Sequence, residues 1–384
     1  MLARPIYLDN HSTTPLDSRV LAAMLPYFGE CFGNPSSKTH LYGWEAAAAV
    51  EQARADIASL LGAAPEEIIF TSGATESNNL AIKGVAEAYY DRGKHFITVQ
   101  TEHRAVLDPL RYLESLGFTV TYLPVDGEGL IDPEDVAKAI RGDTVLVSVM
   151  AANNEIGVLQ DLGAIGRICK ARGVLFHTDA AQAVGKVPLD VEALGIDLLS
   201  FTAHKCHGPK GIGGLYVRQN PKVQIAPQLH GGGQEGGLRS GTLYPPQIVG
   251  MAKALTLAVE QQTQEQQYIR QLRERLWSQL QALPDIYLNG HWENRLAGNL
   301  NVSFGGIRGD TLLAALRQSV ALSSGSACSS SSPQPSHVLT AIGRSPQLAA
   351  ASLRFGISRF NTAVEIDRVA QLVIEQVQAL RTSF

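Results

Sequence analysis

Residues 68–79 read Ile68-Ile69-Phe70-Thr71-Ser72-Gly73-Ala74-Thr75-Glu76-Ser77-Asn78-Asn79. A short apolar and β-branched run leads into a glycine, and a helical pattern follows over 79–90. Strand, tight turn and helix are therefore written into one stretch. Gly73 frees the backbone to turn. Ala74, Thr75 and Glu76 then leave unpaired N–H groups at a helix N-terminus, where the helix dipole also favours negative charge. Such an end suits a phosphate. Its ordinary alternative is a capping box of Ser72 or Thr75 with Glu76, and the stretch taken alone favours the cap.

The same alternation extends outward. Apolar runs recur at 68–71, 95–100, 119–125, 144–150, 174–178, 198–202 and 214–217, with helical patterns at 44–61, 79–90, 104–116 and 162–172 between several of them. Near-continuous apolar strands alternating with helices predict an α/β fold, a mainly parallel seven-stranded sheet covered on both faces. Its ligand contacts belong at the carboxyl ends of the strands. After Pro245-Pro246 the pattern changes. One long helix is expected from about 247 to 283, with Ile269, Leu272, Leu276, Leu280 and Leu283 on one stripe and Pro284 as its stop. Strands at 301–304 and 353–358 and an amphipathic helix at 364–380 complete a smaller α+β unit. The expected division is a large domain over 16–255 and a small domain built from 1–15 and 256–384, the latter carrying a loop at 323–336.

The chain has 384 residues, 45% hydrophobic and 18% charged, which is enough to bury large cores and excludes general disorder. A net charge of −4 argues against direct nucleic-acid or membrane binding by bulk charge. No apolar run has the length of a membrane span, and the first nine residues lack a signal-peptide core, so a cytoplasmic location is expected. Cysteines stand at 31, 169, 206 and 328, without zinc spacing, so no resident metal site is expected and buried thiols are the default.

Two further signals join the glycine turn. Asp179 ends an apolar run and could hold a protonated ring nitrogen, although a helix cap is the commoner use of such an aspartate. Lys205 is delivered by the 198–202 run into the glycine-rich turn His204-Lys205-Cys206-His207-Gly208-Pro209-Lys210-Gly211, where an amine among cationic neighbours can become nucleophilic. A pyridine aldehyde phosphate needs a lysine for a Schiff base, an acid for the ring nitrogen and a helix N-terminus for its phosphate. All three are here, which implies pyridoxal phosphate.

The chain also resembles the NifS/IscS-type cysteine desulfurases, class-V aminotransferases of the fold-type I pyridoxal phosphate superfamily. The resemblance is carried by 7–15 (Tyr-Leu-Asp-Asn-His-Ser-Thr-Thr-Pro), 32–36 (Phe-Gly-Asn-Pro-Ser), 71–77, 101–104 (Thr-Glu-His-Arg), 153–157 (Asn-Asn-Glu-Ile-Gly), His204-Lys205, 230–233, 239–242 (Arg-Ser-Gly-Thr) and 323–328 (Ser-Ser-Gly-Ser-Ala-Cys) in order. It implies that Lys205 forms the Schiff base, that Asp179 pairs with the ring nitrogen and that Gln182 hydrogen-bonds the ring oxygen. Ala74, Thr75, Thr202 and His204 would hold the phosphate. Thr242 would reach it from the other subunit of a homodimer. His103 would stack on the ring and move protons, Asn154 would sit near cofactor and substrate, and Arg354 would clamp the substrate carboxylate, a task that suits its planar fork.

Cys328 stands in the Ser-, Gly- and Pro-rich stretch 323–336. A stretch of this composition commonly serves as a linker, but an exposed thiol is unusual because free cysteine is mostly buried. The resemblance makes Cys328 the catalytic thiol, which takes sulfur from L-cysteine as a persulfide, releases L-alanine, and passes the sulfur to an acceptor protein such as an iron–sulfur scaffold or to tRNA thiolation. Cys328 could also transiently ligate a nascent iron–sulfur cluster. Cys206 and His207 replace an Ile-Tyr pair, and Gln234 a histidine, expected in relatives. IscS-type members carry a tail that contacts the scaffold; this sequence stops at Phe384, so docking through such a tail is not expected. The rival readings are a cysteine or cystine C–S lyase and a selenocysteine lyase on the same fold.

Overall fold

A computed structural model of the protein describes residues 4–324 and 335–382. Seven strands form one sheet in the order Ile68–Thr71, Gly213–Val217, Leu198–Thr202, Leu175–Asp179, Thr144–Ser148, His95–Val99, Thr119–Leu123. All are parallel except Gly213–Val217, which runs antiparallel to both neighbours. Successive side chains point to opposite faces. Phe70, Ile97, Val147 and Leu199 enter one core with the helices Leu41–Leu61, Leu162–Arg172 and Pro245–Glu260, while Ile69, Phe96, Leu146 and Leu198 enter another with Ala74–Ala88 and Arg104–Ser115. Both faces are dry, which is why these strands read as unbroken apolar runs.

A third core surrounds an antiparallel sheet in the order Ser323–Ser324, Ser352–Gly356, Asn299–Phe304, Ile286–Leu288. The closing helix Ala363–Thr382 packs on it through Ile366, Val369, Val373 and Val377. The N-terminal segment joins this part: Ile6–Tyr7 pairs with Val320–Ala321, and Asp9 bridges to Gly356. The chain from Asn10 to Thr14 then runs to the large sheet, where Thr14 hydrogen-bonds the His204 carbonyl.

The single helix expected over 247–283 is two helices, Pro245–Glu260 and Gln262–Leu280, broken at Gln261 with φ −102° and ψ 3°. The two halves serve different cores. Ile248, Met251 and Leu255 pack under the large sheet, whereas Ile269, Leu272 and Leu276 pack with the small one. One straight helix could not present both stripes, and the polar run 260–267 carries no apolar side chain that opposes a bend.

Candidate active site

The carboxyl ends of the large-sheet strands open into a cavity of about 510 Å³. One wall is the turn after the edge strand. Gly73 has φ 150° and begins the helix Ala74–Ala88, whose N-terminus no side chain caps. The expected capping box is therefore not made. Glu76 instead accepts the Ser72 N–H at 2.7 Å and is held by Arg239 at 2.7 Å. Gly213 backs this turn so closely that a Cβ there would lie 2.6 Å from the Gly73 Cα. Ala74, Thr75 and the uncapped amides thus line a concave end with a positive dipole, the arrangement that attracts phosphate.

Asp179 lines the cavity from the end of its strand and is 5% exposed. Its Oδ2 accepts a hydrogen bond from Asn78 at 2.6 Å and its Oδ1 one from the Ala181 N–H at 2.9 Å. Asn78 was not singled out in the sequence. Its signal was available, because it stands one helical turn after Ala74 and so shares that face. Behind Asp179, burial and the Asp179 charge raise the Glu102 carboxyl well above the usual range, and its Oε1 accepts the Met150 N–H at 2.5 Å. His103 also lines the cavity and caps the helix Arg104–Ser115, its Nδ1 accepting from the Ala105 N–H at 3.1 Å. Capping and a pocket role coexist, since an accepting Nδ1 leaves the hydrogen of the neutral ring on Nε2. Burial lowers the pKa of this imidazole, Asp179 opposing and Lys205 reinforcing the effect.

Lys205 enters from the short 3₁₀ turn Ala203–Lys205 and donates to the carbonyls of His11 (2.5 Å) and Ser12 (2.9 Å). Burial and Lys205 push His204 down to about 4, so it is a neutral ring, with Nδ1 3.1 Å from the Thr13 hydroxyl. The Thr202 hydroxyl donates to the Ile212 carbonyl at 3.0 Å, leaving its oxygen only an acceptor in this arrangement. Ser12 and Thr13 are further wall residues that the sequence reading passed over.

Arg354 lies behind the wall, 2% exposed, on the Ser352–Gly356 strand. It donates to Asp9 Oδ1 (3.0 Å), the Ser12 hydroxyl (2.8 Å) and the Asn154 carbonyl (2.9 Å), and its buried Nε has no partner. Asn154 faces the cavity with a buried Oδ1 that is also unpartnered. Next to it, burial raises the Glu155 carboxyl to about 7, and Ser336 donates to it at 2.5 Å.

The structure thus gathers Ala74, Thr75, His103, Asn154, Asp179, Gln182, Thr202, His204 and Lys205 around one cavity, with Arg354 directly behind it. Thr242 is exposed and away from it. Cys328 lies outside the described residues. Cys169 and Cys206 are buried thiols, pushed up to about 12 and about 11 by desolvation, and Cys31 is half-buried. Among the described residues there is no metal-ligating cluster and no helix long and apolar enough to cross a membrane.

Comparison with known proteins places this geometry. The aminotransferase class-V family model matches residues 6–369. A cysteine desulfurase IscS of Neisseria meningitidis is 55% identical over 98% of this chain and 93% of its own length. The human cysteine desulfurase is 54% identical over 98% of this chain and 83% of its own. Among solved structures, a NifS-like protein superposes with a TM-score of 0.92 at 41% identity, covering 98% of this chain and all of that one. SspA in complex with cysteine superposes at 0.82 with 39% identity, covering 93% of this chain and all of that one. Members of this family are pyridoxal phosphate enzymes. The chain belongs to the class-V aminotransferase family, in its NifS/IscS-type cysteine desulfurase branch.

Proposed function

We propose that the protein binds pyridoxal 5'-phosphate and removes the sulfur of L-cysteine, releasing L-alanine and leaving a persulfide on Cys328. The observation that carries this reading is one cavity holding an amine, Lys205, a buried carboxylate, Asp179, and an uncapped helix N-terminus at Ala74. That donor set fits the cofactor. Lys205 would hold its aldehyde carbon, Asp179 its ring nitrogen, and Ala74, Thr75 and His204 its phosphate, with Thr202 in reach once its hydroxyl turns from Ile212. Bound there, the cofactor supplies an electron sink for the amino-acid Cα.

The chain's own groups do the rest. Asn78 and the Ala181 amide hold Asp179 with both oxygens engaged, so the carboxylate is oriented before any ligand arrives. The Lys205 amine is placed to take the Cα proton, and His103, which carries its hydrogen on Nε2 while Nδ1 accepts from Ala105, to offer that proton near the sulfur. Arg354 carries an unpartnered buried Nε–H beside the cavity, a donor the substrate carboxylate would satisfy, and the unpartnered Asn154 Oδ1 is an acceptor for an N–H of substrate or cofactor. The Cys328 thiolate attacks the substrate sulfur, an S–S bond forms as the Cβ–S bond breaks, and the electron pair of the broken bond stays on carbon, where it takes up the proton the thiol had lost and leaves as alanine. An acceptor protein of iron–sulfur assembly then takes the sulfur by exchange.

A second subunit is supported by the surface. Leu25, Phe28, Phe32, Leu41, Tyr42, Trp44 and Tyr244 are 47% to 64% exposed, and Phe28 packs against Tyr244 and Phe32 against Tyr42, an exposed aromatic set of the kind that marks an association surface. Thr242 lies two residues from Tyr244, so a homodimer covering this surface would bring it toward the partner's cavity. A cytoplasmic site of action agrees with thiol chemistry. The test pairs two variants. Lys205→Ala is expected to lose the visible absorbance of the cofactor, and Cys328→Ala to keep it while forming no persulfide. Persulfide labelling that survives in Cys328→Ala contradicts the assignment.

A further inference from the structure

Gln182 is 3% exposed and lines the cavity, and its amide is held on three sides. Its Nε2 donates to the His11 carbonyl at 2.8 Å. A backbone carbonyl only accepts, so this contact decides which end of the amide is nitrogen. The oxygen then faces two donors, Lys186 Nζ at 3.0 Å and His11 Nδ1 at 3.1 Å. The second contact requires the His11 hydrogen on Nδ1, and this nitrogen is nearer its partner than Nε2 is to the Gly298 carbonyl at 3.3 Å. With both acceptor directions filled and one N–H used, the amide has a single N–H left to offer.

We propose that Lys186 and His11 are positioning residues that lock Gln182 so that it presents a hydrogen-bond donor, never an acceptor, to the cofactor ring oxygen. The inference rests on the cofactor reading above and adds two residues to it. Neither was singled out by the sequence, and neither lines the active-site cavity. They lie on its far side, where His11, Lys186, Lys205, Cys206, His207, Glu265 and Arg359 surround a water-sized space of about 50 Å³. Part of Lys186 reaches solvent, yet burial of its amine, together with Lys205 and Arg354 and against Cys206, pushes it down to about 7. Burial holds His11 far below its ordinary value, so it stays neutral and contributes a hydrogen bond without charge.

The consequence is electrostatic. A donor at the ring oxygen favours the oxygen as an anion and weakens its hold on the neighbouring proton at the Lys205 nitrogen. If either lock is removed, the amide can turn its oxygen inward, and that proton is held to higher pH. The measurement is the pH midpoint of the visible absorbance of the protein reconstituted with pyridoxal phosphate. Lys186→Met is expected to raise it by about half a unit to one unit. His11→Ala keeps the carbonyl and removes no charge, so its upward shift isolates the amide from the lysine's field, and it serves alone if the Met variant does not fold. Lys186→Arg keeps donor and charge and is expected to restore the parent midpoint. A midpoint unmoved in His11→Ala overturns the inference even if Lys186→Met shifts, because charge alone then explains the lysine. A parent protein that takes up no cofactor overturns the cofactor reading together with this inference, so the two failures are distinct.

Discussion

Replacing Glu235 by Ala should destabilise the protein by at least about 3 kcal/mol, although the residue is remote from the chemistry. The edge strand Ile68–Thr71 pairs with Gly213–Val217 on one side only. On the other side, Arg54 and Glu235 take the place of a neighbouring strand. Arg54 Nη1 donates to the Ile68 carbonyl at 2.5 Å, and the Phe70 N–H donates to Glu235 Oε2 at 2.6 Å. The two side chains close on each other through Nη2–Oε1 at 2.8 Å and Nη1–Oε2 at 2.9 Å, with the guanidinium 4.6 Å above the Phe70 ring. Their side chains are only 10% and 1% exposed, so solvent screening is weak. Removing the carboxylate leaves the guanidinium only the exposed Glu51 carboxylate as a counter-charge, 3.3 Å from Nε, which places the cost near the lower end of about 3–5 kcal/mol, and leaves a buried N–H unpaired, about 1–3 kcal/mol more before relaxation. The reverse experiment separates charge from packing: Arg54→Met with Glu235→Leu should recover part of the loss, because a hydrophobic pair leaves no orphan charge. Urea unfolding at fixed protein concentration, with the slope checked for constancy, measures both. The cofactor affinity should fall as well, since Phe70 is three residues from Gly73. A Glu235→Ala protein within about 1 kcal/mol of the parent refutes the reasoning.

Gly213→Ala should weaken phosphate and cofactor binding at least tenfold, because its Cβ would meet the Gly73 Cα and the Phe201 carbonyl at 2.6 Å; unchanged affinity by fluorescence titration counts against the cradle. Glu155 has a folded pKa raised to about 7 from 4.5, so its contribution to stability is fully present below 4.5 and lost as pH rises through 7. Glu155→Gln keeps an acceptor for Ser336 and removes the titration, so the variant-minus-parent stability should climb by about 3 kcal/mol between pH 4 and 8, and a flat difference rejects it. His103→Asn, whose amide oxygen takes the place of Nδ1, should keep the helix cap and the cofactor colour but slow alanine release by about 10²–10⁴, the usual worth of a general acid or base; a loss of less than threefold argues for a capping role alone.

The large sheet was legible because its strands are dry on both faces: Ile69 and Phe70, or Leu146 and Val147, feed opposite cores and so appear as unbroken apolar runs. The helix Leu162–Arg172 has the expected bounds for a related reason, since Asp161 caps its start and Gly173, at φ 62°, ends it. Lys205 and Asp179 could be read because strand ends carry chemistry in such sheets. What stayed hidden was held by distance in sequence. Glu235 meets Arg54 across 181 positions and Gln182 meets His11 across 171, and no local pattern encodes either contact. The break at Gln261 was hidden too, because periodicity reports that a face is buried without saying which core buries it. Arg354 was legible as a residue type, but its engagement with Asp9 needed the N-terminal segment to be threaded past the small sheet.

The central claim is most directly tested by incubating the reconstituted protein with L-cysteine without oxygen, then quantifying the amino-acid product while weighing the peptide that contains Cys328. The account predicts alanine, together with a Cys328 peptide heavier by one sulfur atom that returns to its starting mass on reduction. Pyruvate and ammonia, with the peptide unmodified, would contradict it.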